Sequence, residues 1–235
     1  MAATELLQVS ALHAYYGESH VLHGVDCHVG RGEVVTLLGR NGAGRTTTLK
    51  ALLGLVAARS GSVMIDGREA IALAPHRIAR LGVGYCPEER GIYSELSAEE
   101  NLLLPPPVGP GGMSLEAIYA MFPNLQERRA SRGTHLSGGE QQMLALARIL
   151  RTGAKLLLLD EISEGLAPVI VQALSRTIRT LREQGYTIVM VEQNFRFAAP
   201  LTDRFYIMER GRIVEGFTAA ELPDKMELLH RYLGV

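Results

Sequence analysis

Glu33-Val-Val-Thr-Leu-Leu38 runs directly into Gly39-Arg-Asn-Gly-Ala-Gly-Arg-Thr46, and Leu49, Leu52 and Leu53 then share one face of a helical pattern over Arg45 to Val56. A short apolar run that ends in glycines and opens a helix reads as a buried strand, a tight turn and a crossover helix. It is also the setting that the phosphate-loop pattern G-x-x-x-x-G-K-[ST] requires. Glycines let backbone N–H groups turn inward around phosphate oxygens, and the helix N-terminus adds a favourable dipole. Gly39, Asn41, Gly42, Ala43, Gly44, Arg45, Thr46 and Thr47 are therefore candidate nucleotide-binding residues, with the Thr46 hydroxyl a candidate Mg²⁺ ligand. Arg45 stands where the pattern has Lys. Arg keeps the charge but carries a longer, planar, forked head, so the exchange is not conservative at a tight site. The expectation is that nucleotide binding survives in part and hydrolysis is impaired.

Outward from this unit, short apolar runs alternate with longer helical patterns. Gly61 to Gly67, Val83 to Cys86, Lys155 to Leu159 and Thr187 to Val191 read as strands, and Pro75 to Leu81, Gly138 to Arg151 and Pro168 to Gln184 as helices. That alternation predicts an α/β fold with a parallel sheet and crossover helices. Ligands bind such sheets beyond the carboxyl ends of their strands, where Lys155-Leu-Leu-Leu-Leu-Asp160-Glu161 delivers two acids. Asp160 is a candidate Mg²⁺ holder, and Glu161 a candidate to orient or deprotonate an attacking water. Leu6 to Val29 reads as antiparallel β structure, Arg204 to Glu215 as a hairpin turning at Arg210-Gly211, and Pro223 to Leu233 as a final helix. In the middle, Ser97 to Leu104 and Ser114 to Phe122 read as helices around Pro105-Pro-Pro-Val-Gly-Pro-Gly-Gly112, which cannot be helical. The chain reads as one domain over 1–235, with a small helical subdomain at about 90–152.

Leu136-Ser137-Gly138-Gly139-Glu140 opens the helix of Gly138 to Arg151. With the phosphate loop before it and the strand ending in Asp160-Glu161 after it, this stretch resembles the signature of the ABC transporter ATPases. The resemblance implies a P-loop NTPase core of mixed, mainly parallel sheet, an N-terminal antiparallel β subdomain and a small α-helical subdomain. It implies ATP and Mg²⁺ as cofactors and a second ATPase subunit, identical or related, whose γ-phosphate Ser137, Gly138 and Gly139 would cap. Tyr16, just before Gly17, would stack on adenine; Glu88, after Cys86-Pro87, holds the place of the loop residue that touches metal and water and faces the membrane subunits. Gln193, after Val191-Glu192, holds the place of the switch residue that reads the γ-phosphate.

Pro87-Glu88, Val191-Glu-Gln-Asn194, Arg40 to Gly44, Leu136 to Ala145 and Ser163 to Pro168 look like the branched-chain amino-acid importer ATPases of the LivF type. The related urea-importer ATPases look alike. The resemblance covers essentially the whole chain. It implies an ATP-hydrolysing importer subunit, with Glu161, Gln193 and Glu88 at the chemistry and Thr46, Asp160 and Glu88 at the metal. Its partners would be transmembrane permease subunits and, indirectly, a periplasmic substrate-binding protein; its place would be peripheral, on the cytoplasmic face of the membrane. Besides Arg45, two positions depart from the family pattern. Ile162 replaces the Pro that usually follows the acid pair, which frees φ and leaves Glu161 less fixed. Pro105 to Gly112 replaces a more helical segment. Arg45 and Ile162 keep open the alternative of a nucleotide-gated subunit with impaired turnover.

Composition agrees with this reading. Lys plus Arg (24) and Asp plus Glu (25) nearly cancel, so no basic field exists to hold nucleic acid, and an ABC ATPase acting on DNA or ribosomes loses weight. Cys27 and Cys86 are isolated, which fits a reduced compartment and no zinc site. Met1 to Ser10 shows no leader pattern, and no apolar run approaches the ~20 residues that span a bilayer. His13, His20, His23 and His28 read as strand-face residues, Arg176, Arg179 and Arg182 as a solvated helix face, and Met190, Met208 and Met226 as core fillers.

Overall fold

The computed structural model describes residues 5–234; the opening residues of Met1 to Ser10, read above for a leader, lie outside them. The chain begins with two long strands, β1 (Glu5–Tyr16) and β2 (Ser19–Gly30), that pair antiparallel. The strand, turn and helix of the phosphate-loop stretch follow as β3 (Val34–Leu38) and α1 (Arg45–Leu52). Next come β4 (Ala58–Ile65), β5 (Arg68–Glu69), α2 (Pro75–Ala79) and β6 (Val83–Cys86). A helical stretch carries α3 (Ala98–Leu103), α4 (Leu115–Met121), α5 (Pro123–Glu127) and α6 (Gly138–Arg151). The chain then runs through β7 (Leu156–Asp160), α7 (Pro168–Glu183), β8 (Thr187–Glu192) and α8 (Phe195–Ala198). It closes with β9 (Arg204–Glu209), β10 (Arg212–Thr218) and α9 (Met226–Leu233).

The strands form a four-stranded sheet, β2-β1-β4-β5, and a six-stranded sheet, β10-β9-β3-β8-β7-β6. The first is antiparallel. In the second, β9, β3, β8, β7 and β6 run parallel, and β10 returns antiparallel on β9. The parallel strands are apolar on both faces because both faces are covered. Val35, Leu37, Leu156, Leu158, Val189 and Val191 pack with α1 and the antiparallel sheet. Their neighbours Val34, Leu157, Leu159, Ile188 and Met190 pack with α6 and α7. This period-two division makes one sheet the floor shared by two cores.

Some boundaries differ from the sequence reading. α1 stops at Leu52 rather than Val56, because Gly54 takes a φ of +75° and the chain turns there. The last helix begins at Met226, after a 3₁₀ stretch over Ala219–Lys225 that contains Pro223; proline has no N–H to continue an α-helical ladder. Met226 is 36% exposed and is no core filler, whereas Met190 and Met208 are buried. Pro105 to Gly112 is non-helical, and the N–H groups of Val108 and Gly109 both donate to the Thr152 carbonyl at the end of α6.

Candidate nucleotide and metal site

The parallel strands β3 and β7 bring the phosphate loop and the acid pair to one edge of the sheet. α1 starts behind Gly44, whose φ of 107° glycine adopts readily. A Cβ on Gly39 would come within 2.7 Å of the Met208 carbonyl oxygen, so the loop lies directly on β9. Residues Asn41 to Thr47 line a cleft of about 400 Å³ with Val21, Glu88, Glu161 and Glu164. No side chain caps the first turn of α1, which leaves its N–H groups for an anion.

Below the loop, the Thr46 hydroxyl donates to Asp160 Oδ1 at 2.9 Å, and the Tyr85 hydroxyl donates to Oδ2 at 3.0 Å. Asp160 is fully buried. Burial raises its pKa, against the pull of the bonds from Thr46 and Tyr85. Tyr85 was not singled out from the sequence; the signal was its place in β6, the strand that pairs with β7.

Arg45 is 4% exposed and turned onto the acid pair. Its Nη2 donates to Glu161 Oε1 at 2.6 Å and to Asn41 Oδ1 at 3.1 Å, while its Nη1 is buried with no partner among the described residues. Glu161 has a φ of +47°, and its N–H donates to the Val191 carbonyl at 2.9 Å. Burial pushes its carboxyl up to about 7, with Glu164 adding and Arg45 opposing. A carboxyl near neutrality suits proton transfer at physiological pH. Ile162, the position that departs from the family pattern, is buried. Its side chain is 1% exposed and packs in the core, so the segment is anchored on both sides of Glu161.

The other expected site residues lie around this centre. Glu88 is exposed and lines the same cleft. Gln193 is exposed and lines a neighbouring cleft with Glu161, Ser163, Glu164 and Glu192. Tyr16 ends β1 and is 49% exposed; it does not line the phosphate cleft. Nor do Ser137, Gly138 and Gly139. Ser137 caps α6, accepting from the Glu140 N–H while the Glu140 carboxylate accepts from the Ser137 N–H. Gly139 abuts Ile170, which leaves under 3 Å for a Cβ. In the antiparallel sheet His20 stacks on Tyr15 and lies tilted against His13 and His23, with His13 Nδ1 3.0 Å from His20 Nε2, while His28 meets the edge of Tyr206.

The residues present fit a nucleotide carrying Mg²⁺. The loop amides and the unpartnered Arg45 Nη1 suit phosphate, and Thr46 and Asp160 already stand together as hard oxygen donors. The sequence profile of the ABC transporter family matches residues 22–164. The high-affinity branched-chain amino acid transport ATP-binding protein BraG of Pseudomonas aeruginosa is 41% identical, over 97% of this chain and 100% of its own. The lipopolysaccharide export system ATP-binding protein LptB of Acidithiobacillus ferridurans is 34% identical, over 98% of each chain. A solved ATP-binding subunit of an ABC transporter superposes with a TM-score of 0.80 at 30% identity, over 97% of this chain and 96% of that one.

Proposed function

The chain belongs to the ABC transporter family as an ATP-binding subunit, and from that premise we propose that it hydrolyses ATP to drive the import of branched-chain amino acids. The observation that carries the hydrolytic part is that Arg45, Thr46 and Glu161 line one cleft at an uncapped helix N-terminus, with the buried Asp160 bonded to Thr46 beneath it. The full-length likeness to BraG carries the substrate class.

In this reading the loop amides from Asn41 to Thr47 hold the phosphates, and Thr46 and Asp160 hold the metal. Bound Mg²⁺ would neutralise charge on the phosphoryl oxygens. Glu161 accepts the proton of the attacking water. Gln193 and Glu88 face the γ-phosphate and the metal-bound water, and Tyr16 is the adenine platform. Ser137, Gly138 and Gly139 act across a pair of subunits, which agrees with their lying outside the chain's own cleft. Arg45 lowers turnover, because it occupies the Glu161 oxygen that must meet water. No helix among the described residues is long and apolar enough to cross a membrane. Separate permease subunits supply the span and hold this chain at the cytoplasmic face, with a periplasmic binding protein delivering substrate.

The likeness to LptB supports a second reading, in which the same motor extracts lipopolysaccharide. Reconstitution with the permease subunits that bind it separates the two. ATP-dependent uptake of leucine, isoleucine or valine into proteoliposomes is expected; lipopolysaccharide release without uptake would overturn the import reading.

A further inference from the structure

Glu192 is a buried carboxyl that no step above uses. It ends β8, directly before Gln193, and is 1% exposed. Both of its oxygens accept from one residue: Oε2 from the Ser163 hydroxyl at 2.9 Å and Oε1 from the Ser163 N–H at 3.2 Å. Ser163 is itself 4% exposed. It lies two positions after Glu161 and one before Glu164, both of which line the phosphate cleft. One residue further up β8, the Val191 carbonyl accepts the Glu161 N–H. The acid-bearing segment is thus fastened to the end of β8 on either side of the buried Ile162.

A buried carboxyl is costly unless it is paired and hydrogen-bonded. Glu192 makes no ion pair among the described residues; the nearby Arg45 guanidinium bonds to Glu161 instead. An apolar side chain would fill this position without that cost, and what the two hydrogen bonds from Ser163 add beyond packing is a directional constraint. Its effect is geometric. It fixes the stretch that carries Glu161 and Glu164 to the strand end that carries Gln193.

We propose that Glu192 is a positioning residue, which through Ser163 locks the Glu161 segment and the Gln193 segment into one unit for ATP hydrolysis. The proposal rests on reading this site as the hydrolytic one.

The test uses the full chain with its permease, measuring kcat and KM for MgATP together with nucleotide affinity and melting temperature. Glu192→Leu is expected to lower kcat between about 10-fold and 100-fold, the scale of a misplacement near 1 Å, with KM and affinity unchanged. Ser163→Ala is expected to lower kcat by a smaller factor, because its N–H still bonds. Glu192→Gln is expected to retain most of kcat, since its amide oxygen can accept from the Ser163 N–H and its NH₂ can donate to the hydroxyl. Adding Ser163→Ala to Glu192→Leu should cost nothing more, as one interaction is being removed twice. Wild-type kcat in Glu192→Leu, a Glu192→Gln variant as slow as Glu192→Leu, or a loss confined to KM would each overturn the proposal. If Glu192→Leu does not fold, Ser163→Ala and Glu192→Gln still decide it: a Ser163→Ala variant at full kcat, or a slow Glu192→Gln, overturns it. A wild-type protein no faster than Glu161→Gln would instead refute the hydrolytic reading of the site.

Discussion

Arg45 joins two groups from separate parts of the sequence. Its guanidinium binds Asn41 within the phosphate loop and Glu161 just after β7, and its Nη1 stays buried without a partner among the described residues. Arg45→Lys exchanges the fork for a single ammonium that cannot hold Asn41 and Glu161 in the same way. Phosphate release by the variant should rise about tenfold as Glu161 is freed to meet water; equal rates would remove Arg45 as a brake. Glu192 provides a second residue-scale check. Burial pushes its carboxyl up to about 8, with the two Ser163 bonds opposing. Its folded pKa lies above its unfolded value, so above the unfolded pKa near 4.5 the folded state holds the extra proton, and stability falls as pH rises toward 8. Glu161 contributes with the same sign up to about 7. Melting temperature followed against pH should therefore fall across this window, and Glu192→Gln should flatten the fall throughout it, removing the part that persists above pH 7. The oddity of Arg45 was legible in the sequence because a motif has fixed positions. Its pairing with Glu161 was not, because that contact depends on how β3 and β7 are placed in the sheet.

At the scale of elements, the signature helix and the final hairpin turn formed as read, while the phosphate-loop helix is one turn shorter. α6 spans Gly138–Arg151, as its Ser137 cap and Glu140 partner indicate. The hairpin turns at Arg210-Gly211, as expected. The short α5 (Pro123–Glu127) was not read, because one turn is too brief to show a period. The role of the hairpin turn was also hidden. The Gly211 N–H donates to the Ala43 carbonyl at 2.8 Å, so the turn braces the phosphate loop from outside. Gly211 has a φ of +74°, and a Cβ there would meet the Val21 carbonyl oxygen at 1.9 Å. Gly211→Ala should therefore destabilise the fold by about 3 kcal/mol or more, from left-handed strain plus overlap, and weaken nucleotide binding. Gly185 has a φ of +80° with open space around it. Gly185→Ala should cost only about 1 kcal/mol and leave binding unchanged. Urea denaturation and nucleotide titration of the two variants measure the difference.

For the whole molecule, the parallel sheet sets the phosphate loop, Asp160 and Glu161 along one edge, while the signature stretch at the start of α6 lies outside their cleft. The order of motifs was legible along the chain; their separation in space was not, because it depends on how the helical stretch packs against the sheet. In the proposed reading, a second subunit brings the signature stretch to this cleft. MgATP is expected to drive the Glu161→Gln variant, whose slowed hydrolysis should keep nucleotide bound, from monomer to dimer in sedimentation. The absence of association at saturating ATP, alone or with a related subunit, would contradict the paired arrangement. The most direct test of hydrolysis at this site is phosphate release from MgATP by the full chain with its permease, compared with Glu161→Gln. Glu161→Gln is predicted to be about 10²- to 10⁴-fold slower, the range of a lost general base, while still binding ATP. Turnover by Glu161→Gln at the wild-type rate would contradict the account.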